Sequence, residues 1–124
     1  MSIISRADVY RKAAEVIVRD GKCEGQLVED TPNHAFVPTE HRIMDTSLKV
    51  CALGACVRAY YELRGAEPLS AGQVADLAYT HDTGYVFYPG GRAIDTINDD
   101  RGNPTSAEDI ALLLKHQAEV EESL

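Results

Sequence analysis

Apolar positions along the chain recur with helical spacing in four stretches, separated by segments rich in turn residues. Val9, Ala13, Val16 and Ile17 repeat at i, i+4, i+7 and i+8, giving one apolar face. Ser5 and Asp8 stand at the N-cap and N3 positions of this helix, and Ile4 with Val9 at the positions of a hydrophobic staple. Gly21 is placed to end it, so the spacing predicts a helix over 6–20.

A second stretch, Val50 to Val57, is apolar or small at every position, the pattern of a helix buried on all sides. With Thr46 or Ser47 as cap and Gly65 beyond its end, a helix over 48–64 is expected. Ala52, Ala55, Cys56 and Ala59 line up as a ridge of small residues, and Gly54 lies among them at a cost of about 1 kcal/mol against Ala. Such a surface serves close approach by a neighbouring element. Ser70 with Gln73, and Leu69 with Val74, supply a capping box and staple for a helix over 71–80 whose inward face is Val74, Leu77 and Ala78. Thr105 and Glu108 read as the capping box of a last helix over 106–120, with Ile110, Leu113, Leu114 and Ala118 as its buried stripe. Glu119, Glu121 and Glu122 oppose the helix dipole at its far end, which is expected to fray.

Between these stretches the signals are turns. Asp30-Thr31-Pro32-Asn33 and Pro38 punctuate residues 22–46, where His34-Ala35-Phe36-Val37 and His41-Arg42-Ile43-Met44 read as short strands. Tyr85-Val86-Phe87-Tyr88 and Arg92-Ala93-Ile94 flank Pro89-Gly90-Gly91 as a second short hairpin. The expected fold is mainly α: one compact domain over 1–124, about four helices around a buried central one, with one or two short β-hairpins.

Composition and charge then narrow the function. No apolar run approaches the ~20 residues that cross a bilayer. Arg6, Asp8, Arg11 and Lys12 interrupt the stretch where a secretory leader would be apolar, so a cytoplasmic protein is expected. Three cysteines in such a chain read as reduced thiols. The net charge of −8 lies wholly in residues 66–124, where eleven carboxylates face Arg92, Arg101 and Lys115. That sign opposes direct nucleic-acid binding, which draws on Lys and Arg at phosphates. It suits a partner protein with a basic surface, although most such excesses only keep a surface solvated.

The order of elements also carries a resemblance. An N-terminal helix ending in Asp20-Gly21 is followed by Val50-Cys51-Ala52-Leu53-Gly54-Ala55. Then come Ile97-Asn98-Asp99 and a closing helix Ser106-Ala107-Glu108-Asp109-Ile110-Ala111-Leu112-Leu113. Over nearly its whole length the chain resembles a domain-of-unknown-function family of short helical proteins from actinobacteria and their phages. It departs from that pattern at Lys22-Cys23 and Ile97, where aromatic residues are common, and in the length of 26–49. The resemblance implies a compact helical fold and, for a phage-encoded protein, the host cytoplasm; it implies no activity.

Candidate chemistry is sparse. Cys51, near the start of the central helix, is the candidate nucleophile, because backbone N–H groups and the dipole there favour a thiolate. His81 or His116 would serve as base and Asn98 or Asp95 as orienter, in the manner of a Cys-His-Asn hydrolase or transferase. The competing reading makes Cys51 a small core residue. Asp95, Asn98, Asp99 and Asp100 form an oxygen-rich loop that misses the ligand register of a calcium loop, and no zinc spacing occurs, so neither a metal nor a cofactor is expected. Tyr85, Phe87 and Tyr88 beside Asp95, Asp99 and Asp100 make aromatic anchors rimmed by charge, an interface composition. The favoured expectation is a non-enzymatic protein-binding module, with homo-oligomers compatible with it. A cysteine-dependent enzyme and a protein sequestering a small molecule or nucleotide are the alternatives.

Overall fold

The computed structural model describes residues 4–30, 37–79 and 93–124. Within them the chain forms six helices and no strand: α1 (Arg6–Asp20), α2 (Thr39–Arg42), α3 (Ala52–Leu63), α4 (Ala71–Tyr79), α5 (Ala93–Asp99) and α6 (Ala107–Glu122). The mainly helical expectation holds, but four helices with hairpins does not. His41 and Arg42 lie in α2 and Ile94 lies in α5. His34 to Phe36 and Tyr85 to Arg92 lie outside the described residues.

α1 starts and stops where its caps predict. Ser5 Oγ accepts from the Asp8 N–H at 3.1 Å. Gly21, at φ +99°, donates its N–H to Ile17 O at 2.9 Å. The buried face of α1, from Ala7 through Tyr10 and Ala14 to Ile17, lies between α6 and α3, against which it packs most extensively. α4 carries its reciprocal cap, Gln73 N–H to Ser70 Oγ at 3.1 Å and Ser70 N–H to Gln73 Oε1 at 2.9 Å, with Leu69 and Val74 both buried.

Two boundaries differ from the sequence reading. α3 begins at Ala52 rather than at residue 48, because Val50 is extended and paired on both sides, in parallel with Lys22 and antiparallel with Val28. Ser47, expected as a cap, instead closes a turn by donating its N–H and hydroxyl to Asp45 Oδ1. α6 is capped one residue later than expected, by Ser106 with Asp109. Thr105 is engaged elsewhere: its hydroxyl donates to Ile97 O, and its carbonyl accepts from Lys22 Nζ at 2.6 Å. Ala111 takes the place of Leu113 in the buried stripe, and Leu113 is 36% exposed. α6 runs to Glu122, two residues past the expected end, and the Glu122 carboxylate pairs with Arg11 of α1.

α3 is buried at every position from Ala52 to Ala59, Arg58 included. That guanidinium is wholly enclosed and uses all five of its N–H groups. Nε donates to Ile43 O at 2.7 Å, Nη1 to Leu48 O and Asp20 Oδ2, and Nη2 to Asp45 O and Arg42 O. In the segment 42–48 turn hydrogen bonds reach Arg42 O and Asp45 O, and an arginine from the helix adds to these and supplies Ile43 O and Leu48 O. Arg42 treats the preceding turn alike, donating to Val28 O, Glu29 O and Val37 O. Asp20 completes the cluster between Arg58 and Arg19, and Arg19 reaches on to Glu62 of α3.

Burial pushes the Asp20 carboxyl up, but the hydrogen bonds and charge of Arg19 and Arg58 outweigh it and hold Asp20 below its ordinary 3.8. A depressed carboxylate contributes stability that is complete above the unfolded value and lost as pH falls through the folded one. The thermal midpoint is therefore expected to drop below about pH 4 more steeply in the native chain than in Asp20→Asn, as scanning calorimetry across pH 2–7 would read.

Candidate functional site

The two elements that carry the family resemblance meet at the N-terminus of α3. The segment 21–23 runs parallel to 50–52, with Val50 N–H donating to Gly21 O at 3.1 Å and Cys23 N–H to Val50 O at 3.0 Å. The next rung of a parallel ladder would join Ala52 N–H to Cys23 O. The Asn98 carboxamide occupies that rung instead: Oδ1 accepts from Ala52 N–H at 3.1 Å and Nδ2 donates to Cys23 O at 3.0 Å. A side-chain amide has the donor and acceptor of a peptide group, so it bridges the two segments as they part. Asn98 is accordingly buried, and it also donates to Asp99 Oδ1, which takes the Gly25 N–H as well. α5 is thereby fixed against α3.

On the other side of Val50 the strand-like segment 27–29 pairs antiparallel. Cys51 N–H donates to Leu27 O at 3.1 Å and Glu29 N–H to Lys49 O at 2.8 Å. Leu27 O lies so close to α3 that a Cβ on Gly54 would come within 1.8 Å of it. Gly54 is the residue that lets the backbone of 27 reach the helix, the close approach that the small-residue ridge anticipates.

Cys51 is the N-cap of α3, its Sγ accepting from the Gly54 N–H at 3.4 Å. Burial pushes this thiol up to about 11 against the lowering effect of the Gly54 and Leu53 N–H groups, and Asp95 and Asp99 push the same way as burial. Cys56, fully enclosed, is likewise pushed well above the ordinary thiol value by burial. The helix terminus thus makes hydrogen bonds to Cys51 without yielding a thiolate near neutral pH. His116 is exposed on α6 and is not among the groups acting on this thiol, and His81 lies outside the described residues.

A cavity of about 150 Å³ opens beside this joint, bounded by Gln26, Leu27, Cys51, Leu53, Asp95 and Asn98. Beyond it a wider, shallower concavity of about 630 Å³ is lined by Asp95, Thr96, Asp99, Asp100 and Arg101. A third of about 500 Å³ lies between residues 25–28, α2 and α4, with Arg42 and Glu40 at its polar wall. Of the residues singled out from sequence, Cys51, Asn98, Asp95 and Asp99 come together at the small cavity, and Asp100 joins the last two in the wide one. Asp100 Oδ1 also accepts from Gly102 and Asn103 N–H, the turn-forming use of an aspartate. Tyr85, Phe87 and Tyr88 lie outside the described residues. Among the described residues no group of three or more His, Cys, Asp or Glu is placed to hold a metal, and no helix is long and apolar enough to cross a membrane.

Sequence reading missed Arg58 and Leu27. Arg58 looks like the charged end of an apolar run, and its partners lie in a segment with no periodicity. Leu27 acts through its carbonyl, which no side-chain pattern reports. Gly54, in mid-helix at a cost in stability, is the one local signal that pointed to it.

No curated protein and no solved structure gives a significant match to the chain. A family described as a family of unknown function matches residues 1–120, joining the α1 end, the Cys-Ala-Leu-Gly-Ala start of α3, the Asn-Asp end of α5 and α6, and the chain belongs to that family, DUF6197.

Proposed function

We propose that this chain is a non-enzymatic protein-binding module, an accessory protein of phage or actinobacterial origin that acts in the cytoplasm by meeting a basic partner protein on its acidic α5 surface. The observation that carries the reading is the wide concavity of about 630 Å³, where Asp95, Asp99 and Asp100 share one open face with a single cation, Arg101. Carboxylates at a solvent-open rim steer encounter and select the partner's sign more than they set final affinity. Tyr85, Phe87 and Tyr88 precede α5 by five to eight residues in sequence and supply aromatic anchors of the kind interfaces use. The family marks support the same reading from the other side, because Asn98 and Gly54 hold α5 and the 25–29 segment in place rather than activating a nucleophile.

The test is the association rate of a partner captured from lysate, read at rising salt. Asp95, Asp99 and Asp100 are best changed together to Asn, because Asp99 and Asp100 accept backbone hydrogen bonds that an amide oxygen can still accept. Association is expected to slow roughly tenfold at low salt and to lose most of its salt dependence, with dissociation little changed. An association rate unchanged in the neutralised protein, at an unchanged thermal midpoint, would place the interface elsewhere.

A further inference from the structure

Two of the three thiols occupy matching positions on paired backbone. The parallel bridge joins Lys22 to Val50, so Cys23 and Cys51 each stand one residue beyond the bridged pair, on neighbouring segments. Side chains alternate along extended chain, so both project to the same face of the pairing. Cys51 keeps extended geometry, at φ −82° and ψ −179°, before the helix begins. Adjacent strands lie about 4.8 Å apart, inside the range of about 4.4–6.8 Å between Cα atoms that a disulfide spans. This is also the last closed rung, since Asn98 separates the segments at the next one. Cys23 and Cys51 are half-buried residues, whereas Cys56 is sealed in the core.

We infer that Cys23 and Cys51 are a redox-sensitive dithiol, which a low-molecular-weight disulfide such as oxidised glutathione converts to an intramolecular Cys23–Cys51 bond that clasps the 21–29 segment onto the start of α3. The exchange balances in two steps. The Cys51 thiol loses its proton to solvent and attacks the small disulfide, forming a mixed disulfide and releasing one thiolate, which takes up a proton. The Cys23 thiol, likewise deprotonated, attacks the Cys51 sulfur and expels the second small thiol. The two protein sulfurs are oxidised, and one small disulfide becomes two thiols.

Burial first, then the neighbouring Cys51, pushes Cys23 up to about 12, and burial first pushes Cys51 up to about 11. Attack by either thiolate is therefore slow at neutral pH and rises about tenfold per pH unit over pH 7–9. The bond would also close the chain between residues 23 and 51, raising the thermal midpoint by on the order of 10 °C.

The experiment incubates the native full-length protein with oxidised glutathione, quenches with acid, and counts free thiols after unfolding, with peptide mapping by mass spectrometry. The expected result is one free thiol, at Cys56, and a Cys23–Cys51 linked peptide, reversed by dithiothreitol. In Cys51→Ser, whose hydroxyl still caps α3, oxidation should stop at a glutathione adduct on Cys23. Three free thiols in the native protein at pH 9, a stable adduct on Cys23 in the parent chain, or a linkage between two molecules would each overturn the pairing.

Discussion

Replacing Arg58 with Ala is expected to cost about 3–5 kcal/mol, enough to bring a domain of ordinary stability close to unfolding. The change removes five hydrogen bonds at once: Ile43 O and Leu48 O lose their Arg58 donor, and Arg42 O and Asp45 O are left with only the N–H groups of Asp45 and Leu48. It also strips one of the two guanidinium groups from the Asp20 carboxylate, whose side chain is 4% exposed. Arg58→Lys should recover only part of this, because an ammonium has three donors and none of the planar fork that reaches both sides of the loop. Urea denaturation at neutral pH would separate the three proteins, and equal midpoints for the native chain and Arg58→Ala would show that the segment 42–48 is held by something else.

Gly54→Ala is the second large effect, and it runs against helix propensity. In a helix interior open to solvent this change would stabilise by about 1 kcal/mol. Here the added methyl would lie 1.8 Å from Leu27 O, a backbone atom that is itself fixed by the Cys51 N–H. Either α3 moves away from the 27–29 segment or that segment leaves its pairing with 49–51. The expected cost is about 3 kcal/mol, at the upper end of overpacking penalties, and a thermal midpoint lower by on the order of 10 °C. A midpoint equal to or above that of the native chain would mean that the two segments are not in contact in solution.

These two residues also mark where the sequence was legible. Both ends of α1 and the start of α4 are legible to within a residue because their caps and staples are local, using Ser5 and Gly21 in one case and Ser70 with Gln73 in the other. The same logic missed the α6 cap by one residue, since Thr105 and Ser106 are both good caps and only the pull of Lys22 and Ile97 on Thr105 decides between them. The start of α3 differs for a related reason: Leu48 to Val50 looks like helix, but pairing on both sides of Val50 overrides the pattern. The sequence signals over α5 are those of turn and hairpin, because seven residues ending in Asn98-Asp99 carry little periodicity. Its stability comes from Asn98 docking on α3, a contact between positions 46 residues apart. At the candidate site, Cys51, Asn98, Asp95 and Asp99 were picked out for chemistry and do converge, yet the hydrogen bonds of Asn98 and Asp99 tie backbone segments together.

The protein-binding reading is tested most directly by hydrogen exchange on the chain with and without a partner captured from lysate, followed by mass spectrometry. Slowed exchange on binding is expected in peptides covering 93–102, around Asp95, Asp99 and Asp100, with the peptides of α1 unchanged. Protection confined to α1 or to the cavity between α2 and α4, with 93–102 exchanging as fast as in the free protein, would contradict it.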